Sequence, residues 1–293
     1  MHFINIIVDL MKPNSENKKR MENNLQEKIN KQLEIGFKVS ASSIIDKAFE
    51  IFKGIAGFAI LAVIIYIVAS WIINSLLGII FPMQIDEEEI QAIANSGDIV
   101  QIQEYYKDIF ASSNFALSST ISTLLSSALY PILYSVFVMA RKFDLHQNIE
   151  FSDIFVHYKN GKFLNLFLVT LIVQIVGSIG FMLCIIPGFI VSTMWMLAVP
   201  LIIFGSADIK DALNYSMKLA FKSFGGFFTV LLMCIGVIIV GLLLCCIGII
   251  AAIPLVYIII YVLYKDVIGF SDDNSDEISQ LGTDIYKDNP YMK

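Results

Sequence analysis

The chain has 293 residues, 57% of them apolar and only 16% charged, and its mean hydropathy is +0.73. A water-soluble domain carries about 45–50% apolar and about 25% charged residues, so the composition excludes an ordinary soluble fold. The formal net charge of −6 says little about partners, because acids and bases are segregated along the chain.

Residues 1–42 read as a polar cytoplasmic N-terminal tail. Met1–Leu10 is apolar but short, lacks a basic flank and contains Asp9, so no cleavable signal peptide is expected. Met11 or Met21 would serve equally well as the start. The Asn/Lys/Glu-rich stretch Lys12–Lys38 reads as solvated and in part helical. A membrane domain is expected over residues 43–269, and it opens on an amphipathic segment. Ile44, Ile45, Ala48, Phe49 and Phe52 oppose Asp46, Lys47, Glu50 and Lys53. Ser43 followed by Asp46 resembles a capping box and marks the expected helix start.

Four stretches hold no Asp, Glu, Lys or Arg: Gly54–Ile85, Ile109–Ala140, Phe163–Ala207 and Ser223–Tyr264. About 20 apolar residues cross the ~30 Å hydrocarbon core. The first two stretches are therefore one span each. The last two, of 45 and 42 residues, accommodate two spans each around a tight turn. The expected fold is all-α and polytopic: six transmembrane helices as three hairpins, each preceded by an amphipathic interfacial helix.

Between the first two spans lies an acidic loop, about residues 83–112, with seven acids and Lys107 as its one base. Asp86–Glu89 read there as a solvated helix end in preference to a cation site. The second span is rich in small hydroxyls. Ser118, Ser122 and Ser126 form one ridge; Ser119, Thr123 and Ser127 form another. Such ridges serve close helix packing or line a polar path. Packing is preferred, and Ser119, Thr123 and Ser126 are the candidate polar face. Asn74 and Gln174, amides in other spans, read as structural.

Pro131 interrupts the second span, and Phe151–Phe163 is a weak version of the opening amphipathic segment. In the next run, Pro187-Gly188 is the expected outer turn and Pro200 an expected kink, with Gly205 ending the helix. Asp208–Phe224 is strongly amphipathic: Ile209, Ala212, Leu213, Met217, Ala220, Phe221 and Phe224 oppose Asp211, Asn214, Lys218 and Lys222. Such a helix lies in the membrane interface with its lysines toward anionic headgroups. Lys53, Lys218 and Lys222 are accordingly the candidate lipid-headgroup contacts. Phe52-Lys53-x-x-x-Gly57-Phe58 and Phe221-Lys222-x-x-x-Gly226-Phe227 suggest an internal repeat. The last run holds Pro254 and, by its outer turn, Cys245 and Cys246. Cys184 lies beside the preceding outer turn, and a bridge between these cysteines is less expected than free thiols. Residues 270–293 read as an acidic cytoplasmic tail.

The three prolines are followed by a first basic residue at similar intervals: Arg141 after ten residues, Lys210 after ten and Lys265 after eleven. A helix rises about 15 Å over that interval, so Pro131, Pro200 and Pro254 are candidate kinks near the bilayer midplane. Met1–Lys53 holds nine Lys/Arg, Arg141–Lys162 four and Asp208–Lys222 three. Basic residues mark the cytoplasmic side, so both termini are expected inside and the acidic loop outside.

No ionisable residue is expected near the midplane, which argues against a proton- or ion-coupled transporter. His2, His146 and His157 all lie outside the spans. No Gly-x-x-x-x-Gly-Lys-Ser/Thr, His-Glu-x-x-His or Gly-x-Ser-x-Gly motif occurs. The chain is not expected to be an enzyme or to carry a cofactor or metal.

Ile186-Pro187-Gly188, then Pro200, then Ala212-Leu213-x-x-Ser216 and Phe224, in that order, carry a resemblance. The chain resembles uncharacterised bacterial six-span integral membrane proteins related to the membrane domain fused in some bacteria to a glycerophosphodiester phosphodiesterase. The likeness covers roughly Ser43–Gly269 and is best over Phe163–Gly269. It implies an all-helical domain in the bacterial cytoplasmic membrane and supplies no catalytic residues; the phosphodiesterase barrel is absent. The expected function is non-enzymatic, organising lipid or a protein partner in the envelope, with the bilayer and anionic headgroups as partners and no nucleic acid. The alternative is a transporter or channel for a small or lipidic solute.

Overall fold

The computed structural model describes residues 15–82, 87–244 and 247–270. Every regular element among them is helical, the one open-ended solution that satisfies backbone groups in hydrocarbon. Six helices are long and apolar enough to cross a membrane, which makes this a multi-pass membrane protein.

Helix α1 (Ser15–Ile35) is polar overall, yet Leu25 and Ile29 are buried. Leu25 fills the space beside Gly205, so α1 lies against the body of the fold. Helix α2 (Ala41–Ile80) runs 40 residues without interruption, about 60 Å at 1.5 Å per residue. The amphipathic segment from Ser43 to Lys53 is thus the first three turns of the span itself. Its start differs from the expected capping box too: Ser40 holds the N-cap position, with no side-chain cap bond.

The acidic loop contains two helices, α3 (Glu87–Ser96) and α4 (Ile99–Ala111). Asp98 starts α4 by accepting from the amides of Val100 and Gln101. Ser112 likewise caps α5 (Ser113–Asp144) through the Phe115 amide. A short 3₁₀ turn (Phe151–Phe155) and the one-turn α6 (Val156–Lys159) follow.

Helix α7 (Phe163–Leu183) is separated from α8 (Ile185–Met194) by one extended residue, Cys184. The reversal therefore falls before Pro187-Gly188. Pro187 sits in the first turn of α8, where a missing amide leaves no intrahelical bond unmade. Gly188 serves close approach: a Cβ there would enter the Phe181 ring, and one on Gly180 would lie 3.2 Å from the Gly188 backbone. Helix α9 (Ala198–Gly205) completes this span, followed by α10 (Ile209–Lys222), α11 (Phe224–Leu243) and α12 (Ile247–Val267).

Successive spans pack together: α2 with α5, α7 with α8, and α11 with α12. Gly241 and Gly248 face each other across the last pair, where a Cβ on Gly248 would lie 2.7 Å from the Gly241 carbonyl. Without a hydrophobic drive between helices in lipid, such close backbone contact is the main source of cohesion. The core is concentrated toward one end. Buried residues of α2 cluster between Ile44 and Val63, those of α5 between Ser127 and Arg141. Farther along α2, Trp71, Ile79 and Ile80 stay exposed.

Candidate functional site

Pro131 and Pro254 lie inside continuous helices. Beside Pro131, the Ala128 carbonyl accepts the Tyr158 hydroxyl at 2.7 Å. Tyr134 and Tyr257, each the third residue after its proline, meet edge to face with centroids 5.9 Å apart. Farther down, Asp144 receives Lys265 at 2.7 Å. These contacts keep nearly one offset, so α5 and α12 run parallel with the two prolines at matching heights. Phe204, four residues after Pro200, packs on Tyr261 and Tyr264. These lie seven and ten residues after Pro254, so Pro200 stands nearer the charged end than the other two.

At Pro200 the helix breaks over Trp195–Leu197, because the ring would collide with the carbonyl of Met196. The break redirects backbone groups that helix geometry would have paired. Ser216, from α10, takes up two of them: its Oγ accepts from the Leu197 amide at 3.1 Å and donates to the Met194 carbonyl at 2.7 Å. Ser216 is fully buried. Helix α10 thus supplies the polar group that the interrupted span lacks.

The candidate polar face is turned to its own helix. Ser119 donates to the Ala116 carbonyl at 3.2 Å, Thr123 to that of Ser119 at 2.8 Å, and Ser126 to that of Thr123 at 3.1 Å. The same helix face reaches across to α2 through Ser122, which donates to Asn74 at 2.9 Å. The Gln174 side-chain nitrogen has no bond partner among the described residues. Lys53, Lys218 and Lys222 are exposed, the last two a turn apart on α10 and Lys53 on α2. Cys184 and Cys234 are free thiols; Cys245, Cys246 and Asp86 lie outside the described residues.

Two concavities flank the first turns of α2. Ile45, Phe49 and Phe52 point to one side, where with Met233, Gly236, Val237 and other residues of α11 and α12 they line an apolar groove of about 470 Å³. Among the described residues no polar side chain lines it. Gly236 has open space where a Cβ would be, so the groove owes part of its width to a missing side chain.

On the other side, Lys47, Glu50, Ile51, Phe143, Asp144, His146, Val262 and Lys265 surround a smaller pocket of about 280 Å³. This is the charged end of the bundle. Lys47 holds both oxygens of Asp266, at 2.8 and 3.1 Å. Asp144 accepts from Tyr261 at 2.5 Å and from Lys265 at 2.7 Å. Arg141 lies 3.8 Å from the centroid of the Phe270 ring. Lys142 binds both oxygens of Asp153 at 2.7 and 2.8 Å, and Asp153 also takes the Glu150 amide.

A third cluster sits under the 3₁₀ turn. His157 is fully buried. Its Nε2 lies 3.3 Å from the Tyr134 carbonyl and its Nδ1 3.4 Å from the Asn160 side-chain nitrogen. A carbonyl can only accept, so the proton sits on Nε2 and Nδ1 accepts from Asn160. Burial, with the Lys162 charge nearby, pushes the imidazole down to about 4. Burial also lowers Lys162, whose ammonium donates to the Ile203 carbonyl, and raises Tyr158 to about 12. These groups tie the loop to α5 and α9 through the carbonyls of Ala128, Tyr134 and Ile203. Among the described residues no three His, Cys, Asp or Glu side chains gather as metal ligands.

Sequence reasoning missed the task of Ser216, although Ala212-Leu213-x-x-Ser216 had drawn notice as a motif. A polar residue on the apolar face of α10 was the available signal. It also passed over Lys47, Glu50 and Lys265 as a set, since residues of α2 and α12 more than 200 positions apart carry no local signature. No protein-family model, no curated protein and no solved structure matches this chain.

Proposed function

We propose that this chain is a non-catalytic six-span protein of the bacterial cytoplasmic membrane that organises lipid. Its spans form three hairpins, the first and third led by amphipathic segments at the inner interface, with both termini inside. Kinship with the membrane domain that accompanies the glycerophosphodiester phosphodiesterase belongs to the same proposal, on the Phe163–Gly269 motifs.

The observation that carries the reading is the groove between α2, α11 and α12, about 470 Å³ and lined, among the described residues, without a polar side chain. A cavity of that size suits a small ligand, and its lining suits an acyl chain. The hydroxyls of Ser119, Thr123 and Ser126 are bonded within their own helix, which supports packing over a lined solute path.

The test is native mass spectrometry of the protein purified in mild detergent. Gly236→Leu fills the groove, while Gly225→Leu places the same side chain at another open position of α11. Wild type and Gly225→Leu are expected to retain lipid that Gly236→Leu loses. Equal lipid in all three proteins overturns the groove as the lipid site.

A further inference from the structure

We infer that the charged pocket between α2, α5 and α12 is a binding site for a zwitterionic phospholipid headgroup, one that joins a phosphate to a primary ammonium. This rests on the reading that the bundle holds lipid, and it names a headgroup site separate from the groove.

Lys47 is matched by Asp266, and Lys265 by Asp144, so each wall of the pocket is a neutral pair with donors to spare. An ammonium has three donors. Lys47 spends its bonds on one carboxylate, and Lys265 on a single oxygen of Asp144. Two further side chains line the same pocket, Glu50 and His146. Neither has a hydrogen-bond or ion-pair partner among the described residues.

The pocket therefore offers two unlike sets. Glu50 is an unengaged acceptor, and Lys47, Lys265 and His146 are donors. A phosphate suits the second set and an N–H-bearing cation the first. A headgroup of net negative charge would answer the lysines but set its charge beside the like charge of Glu50. A quaternary ammonium has no N–H to give Glu50. A primary ammonium next to a phosphate answers both.

Position and access agree. The pocket lies where the apolar spans give way to charge. Its floor of Ile51, Phe143 and Val262 is apolar, as suits the glycerol end of a lipid. The Lys47 and Lys265 side chains are 49% and 37% exposed, so each ammonium can offer a remaining donor to a ligand while it holds its carboxylate. His146 sits at φ +52, a left-handed conformation uncommon outside glycine, which fixes the loop that carries its ring to the pocket rim.

The experiment places the full-length protein in nanodiscs containing equal parts phosphatidylethanolamine, phosphatidylcholine and phosphatidylglycerol with identical chains. Bound lipid is read by native mass spectrometry. The wild type is expected to enrich phosphatidylethanolamine over both others. Glu50→Gln should cut that enrichment roughly five- to tenfold, as exchange of a charge-assisted bond for a neutral one implies. His146→Gly, which suits the left-handed backbone, should reduce it less. Both residues lack partners, so both variants should fold. Retained lipid with no class preference, or a preference untouched by Glu50→Gln, overturns the headgroup site while leaving the groove standing. A wild type that retains no lipid overturns both. Thermal stabilisation by soluble O-phosphoethanolamine equal to that by the lipid overturns a lipid as the occupant.

Discussion

Replacing Ser216 by alanine removes one oxygen and leaves two buried backbone groups without a partner. The Leu197 amide loses its acceptor at 3.1 Å and the Met194 carbonyl its donor at 2.7 Å. Each stranded group costs about 1–3 kcal/mol, and the cavity left by a single oxygen admits no water at a fully buried site. Ser216→Ala should therefore destabilise the fold by about 2–6 kcal/mol. The magnitude depends on the break at Trp195–Leu197, and the break depends on Pro200. If Pro200→Ala lets residues 185–205 close into one helix, Leu197 and Met194 regain intrahelical partners and Ser216 has nothing left to bond. The double-mutant cycle should then show strong coupling, with Ser216→Ala costing under about 1 kcal/mol in the Pro200→Ala background. The assay is reversible unfolding in mixed detergent micelles, with hydrogen exchange at the Leu197 amide as a local readout. Strict additivity, or a Ser216→Ala protein within about 0.5 kcal/mol of wild type, would refute the reasoning.

Two further outcomes follow from the packing. The buried imidazole of His157 titrates near 4 in the fold against 6.5 when free, so between those values the unfolded chain holds more protons. Stability is then complete above about pH 6.5 and falls by about 3 kcal/mol as pH drops toward 4; His157→Gln, which keeps a donor to Tyr134, should flatten that slope in detergent melts. Gly248→Ala should destabilise by about 1–3 kcal/mol through overpacking against the Gly241 backbone. Gly57→Ala, with no atom within 4 Å of the new carbon, should stabilise by up to about 1 kcal/mol; the reverse order of the two melting temperatures would contradict the contact.

What the sequence determined by itself is what hydrophobicity and local geometry control. Gly54–Ile85 and its three charge-free companions had to be helical spans, because hydrocarbon leaves a backbone no other partner. Gly205 was a natural end to its helix, and Lys162 a natural start before the apolar run of α7; Pro200, by contrast, reads in sequence like Pro131 and Pro254, which lie inside continuous helices. The spans and those two ends follow from residues within a few turns of one another. The same local reading misplaced details that neighbours decide: the reversal at Cys184 instead of Pro187-Gly188, and the uninterrupted run of α2 where a separate surface helix was expected. Only the tertiary structure could pair Ser216 with Leu197, Leu25 with Gly205, or Lys47 with Asp266. In those cases one side chain answers a need created by another stretch of chain, and no periodicity records which stretch that is. The groove and the charged pocket belong to this second kind, since a concavity exists only between helices and its lining is fixed by how closely glycines let them approach.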